Sequence, residues 1–155
     1  MVQVRVGRAE DLPWLLHECA LAAWEHISQR EQVGAHFPVV AQRVETVVRA
    51  ALAQPGGTVL VAEAAGRPVG SILYHMQPNP LTGQTEGLVL HLRVDPAWRR
   101  QGVGRILLRA AEQHLRQAGA RGVGVVVGLH ATDALRFATA LGYWPERILM
   151  ARPLI

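Results

Sequence analysis

The stretch Val94-Asp95-Pro96-Ala97-Trp98-Arg99-Arg100-Gln101-Gly102-Val103-Gly104-Arg105 constrains the chain most, because it joins a strand-like run to a helix-like run through arginine and glycine. A strand that empties through such a loop into a helix makes an anion cradle. The first N–H groups of a helix lack intrahelical partners and carry the positive end of its dipole. Gly102 and Gly104 remove side chains that would hold a phosphate away from those donors. Arg99, Arg100, Arg105 and Arg109 add charge, and a guanidinium can fork two N–H bonds onto one phosphate. The segment is expected to hold a polyphosphate, with pyrophosphate the best match. A helix start that carries arginines and no ligand would show the same bare motif.

What is missing narrows the polyphosphate. A dinucleotide fingerprint needs a third glycine where Leu107 stands. A Walker loop needs a lysine, and all 16 residues of the Lys+Arg count are arginine. What remains is R-x-x-G-x-G, formed by Arg99, Gly102 and Gly104 behind a strand ending in Leu92-Arg93-Val94. With the Asp-Pro turn, Trp98 and the amphipathic helix that follows, this resembles the pyrophosphate loop of the GNAT superfamily of acyl-CoA-dependent N-acyltransferases.

At 155 residues the chain is long enough for one domain with a full core, and residues 1–155 are read as a single domain. Half the residues are hydrophobic, yet no run reaches the ~18 needed for a membrane span. Met1 to Val6 alternates as a strand and lacks the apolar block of a secretory signal. One cysteine, Cys19, permits no internal disulfide and fits a reducing cytoplasm, where it reads as an apolar filler. The net charge of +4 suits an anionic cofactor, and no basic-aromatic ladder points to nucleic acid.

Periodicity predicts strands at 2–6, 58–64, 69–76 and 86–94, with Ala65-Gly66-Arg67-Pro68 as a hairpin turn. Helices are expected from about 9 to 24, over 39–53, over 103–118 and over 132–140, and residues 25–37 read as irregular. Gly122 to Leu129 is an almost unbroken apolar run, the pattern of a strand buried on both faces and parallel to 86–94. A last strand is expected from Tyr143 to Arg152. The order β-α-α-β-β-β-α-β-α-β gives an α/β (α+β) fold: a mixed, largely antiparallel sheet of six to seven strands with helices on both faces. It matches the GNAT layout over nearly the whole chain, as does the opening Val6-Gly7-Arg8-Ala9-Glu10-Asp11-Leu12-Pro13.

A second motif strengthens the resemblance. GNAT members often carry N-x-x-A-x-x-F-Y-E-K-L-G-F after the buried strand, and here Ala134, Phe137, Leu141, Gly142 and Tyr143 match it. Phe137 and Leu141 also read as an i, i+4 core pair and Gly142 as a helix cap. Ala131 replaces the asparagine that often bonds the pantetheine arm, and Ala138 replaces the tyrosine that often protonates the departing thiolate.

The resemblance implies transfer of an acetyl group from acetyl-CoA directly to a primary amine of a small molecule or peptide. It assigns Leu92, Arg93 and Val94 to the pantetheine arm and carbonyl, and Arg99, Arg100, Gln101, Gly102, Val103, Gly104 and Arg105 to the pyrophosphate, with Phe137 at the cofactor. A transferase also needs a base for the amine, and Glu86 and His91 are the candidates on the key strand. Strict alternation places these two on opposite faces, and a bulge would change that parity. His75 is a weaker candidate, and His130 and Thr132 flank the altered Asn position. Trp24, His26, His36, Phe37 and Tyr74 are expected near the acceptor. The scattered histidines have no metal-ligand spacing, and Ser28 and Ser71 have no nucleophile context. A CoA-binding module without turnover is the alternative that Ala131 and Ala138 suggest. A homodimer is possible through pairing of an exposed strand, Arg147 to Pro153.

Overall fold

A computed structural model describes residues 1–155. The elements are β1 (Val2–Val6), α1 (Leu12–His26), α2 (Gln29–Gln32), α3 (Phe37–Ala53), β2 (Thr58–Ala64), β3 (Arg67–Pro78), β4 (Thr85–Val94), α4 (Val103–Gln117), β5 (Val123–Val125) and α5 (Thr132–Ala140). One five-stranded sheet runs β1-β2-β3-β4-β5, antiparallel except for the parallel pair β4–β5.

Local chemistry explains most of the boundaries. Pro13 stands in the first turn of α1 and Pro38 in that of α3, where a missing N–H costs nothing. The β2–β3 hairpin turns on Ala65 and Gly66, both at positive φ, as a two-residue turn matched to strand twist requires. Ahead of α1, the Asp11 carboxylate accepts from the Arg8 N–H at 2.6 Å and binds the Arg5 guanidinium at 2.7 and 2.9 Å. Arg5 also reaches Glu63 at 2.6 Å, so one arginine ties β1, β2 and the entry of α1 together.

The sheet has two covered faces. Leu60, Ile72, Tyr74, Val89, Val103, Leu107, Leu108, Ala111 and Leu115 form the core beneath α4, joined by Phe137 of α5 and by Leu141 just past its end. Leu15, Cys19, Val48, Ala51, Val59, Val61 and Leu73 form the core beneath α1 and α3. Cys19 is buried there, and its thiol is pushed up to about 12, chiefly by desolvation, so it is inert filler. No helix is long and apolar enough to cross a membrane.

Four expectations need correction. The sheet has five strands, not six or seven. The run Gly122–Leu129 is not buried on both faces and pairs only over Val123–Val125, because Gly122, Gly124 and Gly128 weaken it and the irregularity of β4 at Leu90 ends the ladder at Val89. Tyr143 to Arg152 forms no strand: residues 144–152 are exposed and make no hydrogen bond, and a ladder exists only beside a partner strand. The segment expected to be irregular also contains α2, which Ser28 and Glu31 start with a reciprocal capping pair.

Leu107 is fully buried at the centre of the α4 core. Leu107→Ala is expected to lower unfolding free energy by about 3 kcal/mol, measured by urea denaturation; a loss below about 1 kcal/mol would contradict this packing.

Candidate functional site

The site begins with a single extra residue in β4. Leu73 pairs with His91 and Tyr74 pairs with Val89, which leaves Leu90 unpaired as a β-bulge. The bulge inverts the alternation. Glu86 and His91, on opposite faces by simple counting, both lie on the α1 side, in the rows of Gln77 and Leu73. Val89 before the bulge and Leu92 and Val94 after it lie on the α4 side.

Parallel pairing with β5 stops where the bulge begins, at Val89–Val125. Beyond it the β4 edge is open. The Asp95 N–H donates to the Val69 carbonyl on the β3 side, so the backbone groups of Leu92 and Val94 turn toward the open edge. Arg93 and His91 turn theirs toward β3.

The polar loop stands at the end of this open edge. Asp95 caps the turn Pro96–Trp98 by accepting from the Ala97 N–H at 2.9 Å. Arg99 then folds back, its Nε donating to the Val94 carbonyl at 3.0 Å. Arg100 and Gly102 both take positive φ, 61° and 83°, which turns the chain into α4. The N–H groups of residues 100 through 105 have no acceptor anywhere in the chain. A run of free donors at the positive end of a 15-residue helix fits a pyrophosphate. Phe137 closes the cradle from α5: a Cβ on Gly104 would stand 3.2 Å from the Phe137 ring.

Beneath the loop, on the α1 face, lies a charged chain that the sequence reading missed. Buried Arg93 pairs with Glu18 and donates from Nη2 to Glu25 Oε1 at 3.1 Å. Glu25 Oε2 stands 3.7 Å from Arg99 Nη2. Burial works against the Arg93 charge, but the two carboxylates outweigh it and raise its pKa. Its guanidinium is therefore committed to α1, away from the open edge. Glu18 and Glu25 are seven residues apart, two helical turns, and an acid within the apolar run Leu15 to Ala23 was the available signal.

His91 is buried beside this chain, with Nε2 2.8 Å from Ser71 Oγ and Nδ1 without a partner. Desolvation, reinforced by the Arg93 charge and by His26, lowers its pKa from 6.5 to about 3. Glu86 is half-buried, and its Oε1 accepts from Asn79 Nδ2 at 3.0 Å. His75 is buried with Nδ1 3.1 Å from the Met76 carbonyl oxygen. The loop after β5 returns to the end of α1, where a Cβ on Gly128 would lie 2.9 Å from the His130 ring and 3.4 Å from the His26 carbonyl.

The aromatic group expected near the acceptor divides. Trp24 and Phe37 meet edge to face at 5.8 Å on the α1–α3 side. Tyr74 lies on the opposite face of the sheet, 3.1 Å from His114 Nδ1. Tyr143 also faces α4, donating to Glu112 Oε1 at 2.9 Å. Both tyrosines of the chain are thus bound to α4. A cleft of about 230 Å³ between α1 and α3 is lined by Leu16, His17, Phe37 and Glu45, away from the α4 N-terminus. No group of three or more His, Cys, Asp or Glu side chains is placed to hold a metal ion.

The sequence model of the Acetyltransferase (GNAT) family matches residues 10–143. The chain belongs to the GNAT acetyltransferase family. No curated protein matches it in sequence. A putative acetyl transferase from Pyrococcus furiosus shares its fold at 17% identity and a TM-score of 0.86, over 99% of this chain and 100% of that one. An aminoglycoside N-acetyltransferase in complex with CoA shares it at 16% identity and a TM-score of 0.74, over 100% of this chain and 96% of that one. A soil-metagenome aminoglycoside acetyltransferase in complex with sisomicin shares it at 21% identity and a TM-score of 0.69, over 99% of this chain and 96% of that one.

Buried, neutral His91 ties stability to pH. Between pH 6.5 and about 3 the unfolded chain binds a proton there that the folded chain does not. Its contribution is intact above 6.5 and drains away as the pH falls through that window. His91→Gln is expected to flatten the decline in urea midpoint from pH 7 to pH 5; an unchanged decline would show that His91 is accessible to protons.

Proposed function

We propose that this GNAT protein transfers an acetyl group from acetyl-CoA directly to a primary amine of a small molecule or a peptide N-terminus. The observation that carries this reading is the open edge of β4 at Leu92 and Val94, which leads straight into the free donors of residues 100–105. Together they make a track with hydrogen-bonding groups for an amide-bearing arm and a charged cradle for a pyrophosphate. Leu92 and Val94 hold the arm through their backbone. The pyrophosphate lies against Arg99, Arg100, Gln101, Gly102, Val103, Gly104 and Arg105, with Phe137 behind it. Arg93 contributes by fixing α1, since its side chain is spent on Glu18 and Glu25.

Acetyl-CoA supplies an acyl group activated as a thioester. The chain holds the carbonyl against a backbone N–H of the open edge, a donor fixed before the oxyanion forms. An amine must shed a proton to attack, and the product thiolate must gain one, so the net transfer is balanced by the acceptor's own proton. Glu86 is the proposed base, acting through water, because a histidine with a pKa of about 3 is a poor proton acceptor at neutral pH. The bulge sets Glu86 on the same face as His91, and its Oε2 is free of protein partners. His91 and Ser71 act as a neutral pair that packs the floor beneath the groove. Support for an amine acceptor comes from the aminoglycoside acetyltransferases that share the fold.

A second reading has one observation in its favour. With Ala138 in place of a tyrosine and both tyrosines bound to α4, no phenol is available to protonate the thiolate. That suits a CoA-binding module without turnover. Residues 1–155 are read as one domain, and the lone buried cysteine suits the cytoplasm.

Acetyl-CoA turnover read by thiol release, against aminoglycosides, polyamines and peptide N-termini, tests the proposal. Release above the amine-free rate is expected with at least one class. Calorimetric CoA binding with no release from any acceptor would favour the silent module. Arg99→Ala with Gly102→Val, which forces a β-branched residue to a φ of 83°, is expected to weaken CoA binding at least tenfold. Unchanged affinity would remove the cofactor assignment. Glu86→Gln is expected to lower kcat about 100-fold with KM for acetyl-CoA unchanged; unaltered kcat would place the base elsewhere.

A further inference from the structure

An anion site gains nothing from a carboxylate, yet one stands at the edge of the pyrophosphate cradle. Of the arginines at the head of α4, Arg100 and Arg105 meet no acid, and Arg109 pairs with Glu112 on its own helix. Arg99 alone is reached by an acid from another element. Glu25, in the last turn of α1, places Oε2 3.7 Å from Arg99 Nη2.

Glu25 is not there for Arg93 alone. Glu18, buried on α1, already matches the Arg93 charge at Nη1. The four groups balance in pairs, Glu18 with Arg93 and Glu25 with Arg99, while Glu25 Oε1 also accepts from Arg93 Nη2 at 3.1 Å. The inner pair is buried, whereas the side chains of Glu25 and Arg99 are 44% and 46% exposed. An exposed pair at that distance is held weakly and can part for a better partner.

Arg99 cannot serve two anions equally. Its Nε is committed to the Val94 carbonyl, so Nη1 and Nη2 are what remain for a phosphate. A phosphate forked onto both meets Glu25 at Nη2. Two anions on one guanidinium lie closer than the ~8 Å over which physiological salt screens charge, and they repel. Glu25 keeps a partner when it gives way, because Oε1 stays on Arg93.

We propose that Glu25 is the resident counter-anion of Arg99, a positioning residue that the pyrophosphate of CoA displaces and that thereby holds CoA affinity down. Before the cofactor arrives, Glu25 steadies Arg99 over the Val94 carbonyl and keeps the pair neutral. When CoA leaves, the carboxylate returns to Nη2 and competes with rebinding. The inference rests on the reading of residues 99–105 as the pyrophosphate site and adds to it an acid from α1.

Calorimetric titration of the full chain with CoA at low salt tests it. Glu25→Gln removes the charge but keeps an acceptor oxygen for Arg93. That variant is expected to retain its helical circular dichroism and to bind CoA about fivefold more tightly, whereas loss of a merely structural contact would weaken binding. In an Arg99→Ala background the same substitution is expected to change affinity by less than about twofold. Without any substitution, the Glu25 carboxyl ¹³C resonance is expected to shift on titration with inorganic pyrophosphate, and that of Glu18 to stay in place. Unchanged or weakened CoA affinity in Glu25→Gln would overturn the proposal. So would a gain that survives intact in Arg99→Ala, or a Glu25 resonance that does not move at saturation. A wild-type chain that binds neither CoA nor inorganic pyrophosphate would instead overturn the reading of the loop itself.

Discussion

One surplus residue governs the geometry of this protein. Leu90 has no partner on β3, and its insertion changes what each neighbour in β4 does. Before it, Val89 still pairs with β5. After it, Leu92 and Val94 present backbone groups to an open edge, while His91 and Arg93 turn inward to α1. Without the bulge, Leu92 and Val94 would fall on the α1 side, and His91 and Arg93 would face α4. The buried charges would then lie in an apolar core, where an unpaired ion is costly. Bulge and ion network depend on each other.

That network also links two ends of the site. Arg93 is buried, its two terminal nitrogens are held by Glu18 and Glu25 on α1 while its Nε has no partner, and Glu25 reaches on toward Arg99 in the polar loop. A buried pair of this kind adds little net stability, but removal of one partner strands the other. Its role here is positional: α1 cannot shift over the sheet without disturbing Glu25, nor Glu25 without affecting Arg99. Arg99 in turn holds the Val94 carbonyl, so the loop proposed to face a pyrophosphate and the strand proposed to face the pantetheine arm share one side chain.

The sequence made the sheet's interior legible because local and tertiary signals agree there. β2 and α5 lie where periodicity put them, and Gly102 marks the start of α4. The site was legible in part. The loop announced itself through arginine and glycine, but Glu18 and Glu25 sit in a helix whose apolar pattern drew attention away from them. Alternation alone separated Glu86 from His91, and only pairing with β3 reveals the extra residue between them. Tyr74 shows the same limit, since its face is set by strand pairing and an aromatic in a strand carries no mark of which side it covers. The stretch from Tyr143 to Arg152 reads as a strand for sound reasons of composition. A strand, however, exists only beside a partner, and this stretch pairs with none.

The open edge of β4 and the donors at the head of α4 are proposed to form one binding track. Backbone ¹⁵N–¹H chemical shifts recorded during a CoA titration test it residue by residue. The largest changes are expected on Leu92, Val94 and residues 100–105, with smaller ones on Phe137 and its neighbours. Changes confined to the α1–α3 cleft around Leu16, His17 and Phe37, or none at all at saturating CoA, would contradict it.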